Sequence, residues 1–285
     1  MLQLIVAGLA PGTAYAIIGC CVVLSFNTTG VLNLSQAVFG AFGAYTAAVC
    51  YDYGLTAASA AGLGLLVGSG LAVLVGLLVT WLFLERSLAV RATAMIAVTV
   101  GLLTLGLRLF GDIPRSVAPV VPADTVTVGD ISIGYGTIAV FAVGVALVVT
   151  AMLVLNRTRL GAMLRAVSSR PTTAELLGVP VRALSVGMWG VTGALATLAM
   201  LLIAPARSQD FRTLGMLILP ALAAALVGAF RSLPATLVGG LALGVIESVS
   251  VQWSTISEYK AVLPFCFVIV ALLWSQRKQV WDEAR

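Results

Sequence analysis

The 285-residue sequence contains no histidine, and only 9% of its residues are charged. The chain therefore has no histidine metal ligand and no histidine general acid or base. It also lacks the phosphate-binding pattern G-x-x-x-x-G-K-[ST], so any use of ATP requires a separate ATPase chain. The four cysteines lie inside apolar runs without metal-ligand spacing, which favours small buried residues over a redox or metal role. Together these absences argue against an enzyme.

Apolar sequence dominates what is present. Hydrophobic residues make up 60% of the chain and charged residues only 9%, whereas a soluble domain carries about 25% charged residues. Nine apolar segments are recognisable, near residues 3–26, 31–51, 56–84, 93–110, 134–155, 183–205, 213–230, 234–250 and 260–275. The pattern predicts an all-α polytopic membrane protein with eight to nine transmembrane segments, forming a single transmembrane domain over residues 1–285.

The segment at 31–51 is rich in glycine and alanine and leaves the topology open. It is either a full crossing or a broken or re-entrant helix. If it crosses, the N-terminus lies outside; if it turns back, the N-terminus lies inside.

A basic loop at 156–182 sets the orientation of the chain. It holds five arginines against one acid, Glu175, and so carries most of the net charge of +5. This excess is an orientation signal rather than a nucleic-acid site, and it places the loop in the cytoplasm. The loop at 112–133 is then extracytoplasmic. Residues alternate in hydrophobicity around Gly129-Asp130, which predicts a small β-hairpin near 125–134, either a contact for an outer partner or a plain connector.

The basic loop also has a helical pattern. Four apolar residues share one face of a first helix, at the spacing i, i+3, i+4, i+7. Thr172 and Glu175 have the spacing of a capping box, and Gly178 before Pro180 indicates a helix stop. We expect two short helices with a bend at 168–171, serving either to dock a cytoplasmic partner or only to fix topology. The candidate docking residues are Arg159, Leu160, Met163, Leu164, Arg165, Val167, Arg170, Thr172, Glu175, Leu177 and Gly178.

Polar residues interrupt the apolar sequence after the first segment. Asn27, Asn33, Ser35 and Gln36 fall in a stretch of ten residues, and polar groups at membrane depth need protein partners or a water-filled path. We interpret them as lining a translocation path; a tight turn explains Asn27 equally well but explains Asn33 and Gln36 poorly.

Glu247 is an acid within an apolar run. It either lines the path or pairs with a cation such as Lys260.

Glycines at helical spacing predict close helix contacts. They form two sets, Gly187, Gly190 and Gly193, and Gly240 with Gly244.

Three stretches of the chain resemble the permease subunits of the branched-chain (leucine/isoleucine/valine) amino acid ABC importers. They begin GTAYAIIGCCVVLSFNTTGVLNLSQAVFGAFGAY, TRLGAMLRAVSSRPTTAELLGVPVRALSVGMWG and LPALAAALVGAFRSLPATLVGGLALGVIES. The second stretch matches the family's cytoplasmic coupling loop. After Asn33, family members commonly continue with Phe-Ala-His-Gly and an acid, whereas this chain has Leu34-Ser35-Gln36-Ala37-Val38. Related permeases also carry urea, short amides or aromatic acids.

The resemblance implies an ATP-driven importer of the inner membrane. Its expected partners are a second homologous permease, two cytoplasmic ATPases that hold ATP and magnesium, an extracytoplasmic solute-binding protein and the lipid bilayer. This chain itself would bind no cofactor and no nucleic acid. The residues alone leave two rivals, a secondary transporter or channel that uses Glu247 as a coupling group, and a structural scaffold.

Overall fold

The computed structural model describes residues 2–83, 86–115, 117, 125–128, 131–206, 210–252, 262–270 and 273. Among these residues, six helices are long and apolar enough to cross a membrane. They are α1 (Leu2–Thr29), α3 (Ala57–Leu82), α4 (Leu88–Phe110), α5 (Tyr135–Arg157), α8 (Val181–Ile203) and α11 (Leu233–Ser250). The all-α polytopic class is thereby confirmed.

The predicted count of eight to nine crossings is higher than six, and it stays a prediction. The remaining apolar helices are shorter: α2 (Gln36–Asp52) has 17 residues, and the run 211–227 is divided into α9 (Phe211–Met216) and α10 (Ile218–Val227). The last apolar segment is described only at 262–270 and 273, where 263–270 is helical.

The irregular backbone predicted near 31–51 lies at the start of that range, and a re-entrant course for this segment stays a prediction. Residues 36–52 form one continuous helix, and irregular backbone is confined to residues 30–35 before it. Gly30 has a φ of 64°, in the left-handed region that favours glycine, and it ends α1. Polar residues therefore mark the connection between two helices and not a gap inside one.

Helix α1 lies at the centre of the bundle, with nearly all residues from 11 to 25 buried. It packs against α11, α8, α10 and α5. Its contact with α11 is a contact between backbones, because a Cβ built at Gly240 would lie 2.6 Å from the amide nitrogen of Ala16, and one at Gly244 would lie 2.6 Å from the carbonyl oxygen of Gly8. A second layer combines α2, α3 and α8, where Gly43 and Gly64 bring α2 and α3 equally close.

Four aromatic rings join α2, α4 and α9 at one end of the bundle. Phe42, Tyr45, Phe110 and Phe211 form five ring pairs with centroids between 5.1 and 5.7 Å apart. Offset and edge-to-face ring pairs of this kind each contribute about 0.5–1.5 kcal/mol beyond burial. The Tyr45 hydroxyl also donates to the carbonyl oxygen of Ile113, so this end includes the start of the 112–133 loop.

Two short strands precede α5. They are β1 (Thr125–Val128) and β2 (Ile131–Gly134), which pair antiparallel with Val128 opposite Ile131. The position of this pair on the outer side of the membrane stays a prediction.

The basic loop 156–182 contains α6 (Arg159–Ser169) and α7 (Pro171–Leu176), so the prediction of two short helices with a bend at 168–171 is confirmed. Helix α6 packs on α5 and on α1. Since Leu24 near the end of α1 lines the same cavity as Leu160 of α6, the polar connection at 30–35 and the basic loop lie toward the same end of the bundle.

Candidate functional site

The connection between α1 and α2 is held by a buried hydrogen-bonded set. Asn33 donates from Nδ2 to Oε1 of Gln36 at 2.8 Å, and the amide of Ser35 donates to Oδ1 of Asn33 at 3.1 Å. The hydroxyl of Ser35 lies 2.8 Å from that of Thr99 on α4. Asn33, Ser35 and Gln36 are all 0% exposed. The structure thus brings three of the four polar residues of this stretch together, whereas Asn27 lies half-buried in the last turn of α1.

Several buried polar atoms near this set lack a hydrogen-bond partner among the described residues. They are Nε2 of Gln36, Nε of Arg91, Nε1 of Trp189 and Oγ of Ser185. A buried donor without a partner costs about 1–3 kcal/mol, so such a group is satisfied by water or by a bound solute.

These unpaired groups belong to neighbouring helices at the same end of the bundle. The ring of Trp189 lies 6.4 Å from that of Phe39, one turn after Gln36. Met95, one turn after Arg91, belongs to the same buried cluster as Trp189. A Cβ at Gly30 would lie 3.4 Å from Nη1 of Arg91. The site therefore offers neutral hydrogen-bonding groups and one arginine around the α1–α2 connection.

Glu247 lies elsewhere. The hydroxyl of Tyr15 donates to its Oε2 at 2.7 Å, which pairs the acid with α1. Tyr15 precedes the end of α1 by 14 residues, or about 21 Å at 1.5 Å per residue, so Glu247 is not part of the Asn33–Gln36 set. Lys260, the cation proposed as its partner, is outside the described residues.

The first loop helix, α6, is fixed firmly to the end of α5. Thr158 caps it by accepting a hydrogen bond from the amide of Gly161 at 3.1 Å. Arg165 donates from Nη1 to the carbonyl oxygen of Leu155, and so satisfies one of the free carbonyls at the C-terminus of α5. A Cβ at Gly161 would meet that same backbone, 2.5 Å from the carbonyl carbon of Leu155. Helices α5 and α6 therefore move together.

The predicted capping box at Thr172 is wrong. Helix α7 begins at Pro171 with Arg170 in the N-cap position, and no side chain caps it. Proline is favoured in the first helical position because it has no amide hydrogen to satisfy there, so Thr172 lies inside the helix. The helix stop is confirmed: Gly178 has a φ of 81° and donates to the carbonyl oxygen of Glu175 at 3.0 Å.

The apolar residues of α6 and α7 divide between an inner and an outer surface. Leu164 and Val167 are buried, and Val167 packs with Ala174 of α7 and Val181 of α8. Four others are exposed; we call Leu160, Met163, Leu176 and Leu177 the exposed apolar set. Leu176 and Leu177 are 89% and 77% exposed. The charged and polar residues Arg159, Arg165, Arg170, Thr172 and Glu175 are also exposed on these two helices or the bend between them.

The glycines of α8 do not share one role. Gly193 and Gly190 face α3, since Cβ atoms there would meet Ala72 and Val73. The packing role predicted for Gly187 does not fit the structure, because a Cβ there would meet nothing within 4 Å among the described residues. Gly187 instead lines an open cavity between α5 and α8.

Sequence reasoning missed Tyr15, Thr99, Trp189 and Gly161 and did not connect Arg91 with the site. Tyr15 and Trp189 sit in apolar helices, where aromatic residues are ordinary core residues and give no signal. Arg91 carried a signal, since an arginine near the start of an apolar helix requires partners.

The structure thus combines a polar connection buried among apolar helices with a basic pair of short helices beyond them. The fold is similar to that of a solved chain from an inward-facing ABC transporter described as of the metal-chelate type, with a TM-score of 0.52 and 19% identity over 95% of this chain and 85% of that chain. The chain belongs to the family of permease components of the branched-chain amino acid transport system, whose model matches residues 4–272.

A curated relative supports the same assignment. A protein of Methanocaldococcus jannaschii named "Probable branched-chain amino acid transport permease protein LivH" is 27% identical over 236 residues, covering 79% of this chain and 73% of that protein. The family resemblance of the three sequence stretches is therefore confirmed, as is a multi-pass protein of the inner membrane.

Proposed function

We propose that this chain is the transmembrane permease subunit of an ATP-driven importer that moves a branched-chain or other hydrophobic amino acid inward. The observation that carries the proposal is the exposed apolar set on α6 and α7. Leucines that are 77% and 89% exposed in a basic loop beyond the membrane helices have no lipid to cover them once that loop is in the cytoplasm. A protein surface covers them instead.

The proposed partners follow from the family and from this surface. Two cytoplasmic ATPases dock on α6 and α7, one on this chain and one on a second homologous permease. An extracytoplasmic solute-binding protein delivers the solute to the opposite end, where α2, α4 and α9 meet. ATP and magnesium are held by the ATPases.

The mechanism transmits ATPase closure through α6. Because Arg165 and Gly161 join α6 to α5, and because Val167 packs on Val181 at the start of α8, a displacement of α6 moves both membrane helices. Helix α8 carries Trp189, whose ring lies 6.4 Å from that of Phe39, one turn after Gln36 on α2. Movement of α8 therefore opens or closes the polar connection at 30–35.

The polar groups of the path suit the charged and hydrogen-bonding ends of a small solute such as an amino acid. Asn33, Ser35 and Gln36 provide neutral donors and acceptors, and Arg91 provides a positive charge for a carboxylate. A urea, a short amide or an aromatic acid is the alternative solute, because the amides of Asn33 and Gln36 match those groups as well. Selection among them rests mainly with the binding protein.

The direct experiment is co-purification of the ATPases with variants of the exposed apolar set. The double variant Leu176→Asp/Leu177→Asp is expected to insert normally and to lose the ATPases, whereas Leu176→Met/Leu177→Met keeps them. Leu164→Asp and Arg165→Glu are unsuitable, because Leu164 is 4% exposed and Arg165 caps α5, so either change would disturb folding. Full ATPase retention by the double Asp variant would reject the docking surface.

A further inference from the structure

An open apolar groove lies between α5 and α8, with a volume of about 390 Å³. Leu24 of α1 and Leu195 of α8 line its inner part, and Leu160 and Leu164 of α6 line the end that faces the basic loop. Thr150 is its one polar lining residue among the described residues. A volume in this range is that of a ligand pocket, and an apolar cavity does not hold ordered water well.

The groove opens on an exposed apolar surface of helices α5 and α8. Its neighbours Val149, Leu153 and Val191 are 48%, 56% and 52% exposed, on helices that are long and apolar enough to cross a membrane. An acyl chain can therefore enter from the bilayer without passing through water.

Three arginines lie within two residues of the groove-lining residues Leu155, Leu160 and Ala183. Arg157 ends α5 three residues after Val154, Arg159 precedes Leu160, and Arg182 precedes Ala183; all three arginines are exposed. Within the described part of the chain, no carboxylate lies within 4 Å of any of them. Arginine pairs well with phosphate oxygens, and basic pockets between helices on the cytoplasmic side bind anionic headgroups.

We propose that this groove is a binding site for an anionic phospholipid, with one acyl chain between α5 and α8 and the phosphate among Arg157, Arg159 and Arg182. The site is distinct from the transport path, since its lining shares no residue with the Asn33–Gln36 set. Because Leu160 and Leu164 of α6 line the groove, the bound acyl chain packs against α6 and stabilises its position. Lipid composition then regulates how firmly α6 is held between α5 and α8.

Gly187 provides a sharp test. It lines the groove and a Cβ there meets nothing within 4 Å among the described residues, so Gly187→Leu directs a side chain into the groove from an open position. Gly70→Leu is the matched control, because Gly70 also has open space but lies on α3. The assembled transporter is placed in nanodiscs of phosphatidylcholine containing a photoactivatable phosphatidylglycerol, or a photoactivatable phosphatidylcholine in a parallel sample. Crosslinks are mapped by mass spectrometry.

We expect phosphatidylglycerol to label 147–164 and 183–195 more strongly than phosphatidylcholine does. Gly187→Leu should lower this labelling roughly tenfold, and Gly70→Leu should leave it unchanged. The triple variant Arg157→Gln/Arg159→Gln/Arg182→Gln should remove the preference for phosphatidylglycerol while Arg231→Gln keeps it. The readout is lipid labelling, so it is independent of whether the transported solute is an amino acid.

Three results would each overturn the site. Equal labelling of the wild type and Gly187→Leu would show that the chain does not occupy the groove. Equal labelling by both lipids in the wild type would show that the arginines do not select a headgroup. Protection from both lipids in the assembled transporter, with crosslinks to a partner chain instead, would assign the groove to protein.

Discussion

The hydroxyl of Tyr15 donates a hydrogen bond of 2.7 Å to Oε2 of Glu247, across the contact between α1 and α11. The carboxylate of Glu247 therefore has a hydrogen-bond donor within the helix bundle, and this donor is a tyrosine hydroxyl and not a lysine or arginine. Glu247 is the residue that the secondary-transporter alternative uses to couple transport to an ion gradient. Its pairing with Tyr15 favours a structural role.

The first prediction concerns Glu247→Gln. Because glutamine still accepts the hydrogen bond from Tyr15 but cannot carry a proton or bind a cation strongly, uptake into proteoliposomes should continue at a rate close to that of the wild type and should require ATP. Tyr15→Phe should instead lower the free energy of unfolding by about 1–3 kcal/mol, since it leaves the carboxylate without that donor. Uptake by the wild type that collapses with the ion gradient and survives ATP depletion would restore the secondary-transporter alternative.

The second prediction concerns the backbone contact between α1 and α11. Gly244→Val adds atoms where a Cβ would already lie 2.6 Å from the carbonyl oxygen of Gly8, so the helices must separate. We expect a loss of about 1–3 kcal/mol or more in stability, measured as a lower melting temperature in detergent. Gly62→Val is the control, because a Cβ at Gly62 meets nothing within 4 Å among the described residues. Similar melting temperatures for both variants would contradict the close contact.

The third prediction separates ATP hydrolysis from uptake. Gly161→Ala places a Cβ against the backbone of Leu155, so α6 must move away from the end of α5. In the intact transporter, ATP hydrolysis should persist while uptake falls strongly, because α6 no longer carries motion into α5. Gly136→Ala, at an open position in the first turn of α5, should change neither rate. Unchanged uptake by Gly161→Ala would reject α6 as the mechanical link.

The fourth prediction tests the polar connection directly. Asn33 and Gln36 are 0% exposed, so Gln36→Cys should resist a water-soluble thiol reagent in the conformation described here. Labelling should appear when ATP turnover moves α8 away from α2. Ser250→Cys, buried in α11, is a control for general unfolding and should stay protected. Protection of Gln36→Cys in every nucleotide state would exclude it from the path.

A fifth prediction concerns the end of α7. Gly178 adopts a φ of 81°, which costs a residue with a Cβ about 1 kcal/mol or more. Gly178→Ala should therefore increase protease cleavage near 176–180, whereas Gly178→Asn should be milder because asparagine tolerates this conformation. Equal cleavage of Gly178→Ala and the wild type would show that the helix stop does not depend on glycine.

Sequence patterns predicted the structure correctly where the conformation depends on residues close together in the chain. Gly178 required a left-handed turn, and the i, i+3, i+4, i+7 spacing of α6 required a helix. Such patterns failed at Thr172, because the helix begins at Pro171, two residues earlier than a capping box at Thr172 requires. They also failed for Gly187, because three glycines at equal spacing on α8 look alike in sequence and only the neighbouring helices distinguish them.

Long-range partners were beyond the sequence. No local pattern indicates that Tyr15 would pair with Glu247, 232 residues away, or that Arg165 would donate a hydrogen bond to the carbonyl oxygen of Leu155 at the end of α5. Arginine in a cytoplasmic loop looks the same whether it binds a protein, a phosphate or a backbone carbonyl. The family resemblance predicted the transport function without these contacts. It did not distinguish the buried residues of α6 from the exposed ones.

The backbone contact between α1 and α11 also constrains how the chain is made. The glycine and alanine surface of α1 meets its partner only after more than 200 further residues have been synthesised, which takes on the order of tens of seconds at ordinary ribosomal rates. During that interval the surface of α1 that later contacts α11 is not yet covered by it. The contact between α1 and α11 therefore forms late, and truncation before α11 would leave the glycine and alanine surface of α1 uncovered while α5, α8 and α10 still pack on its other sides.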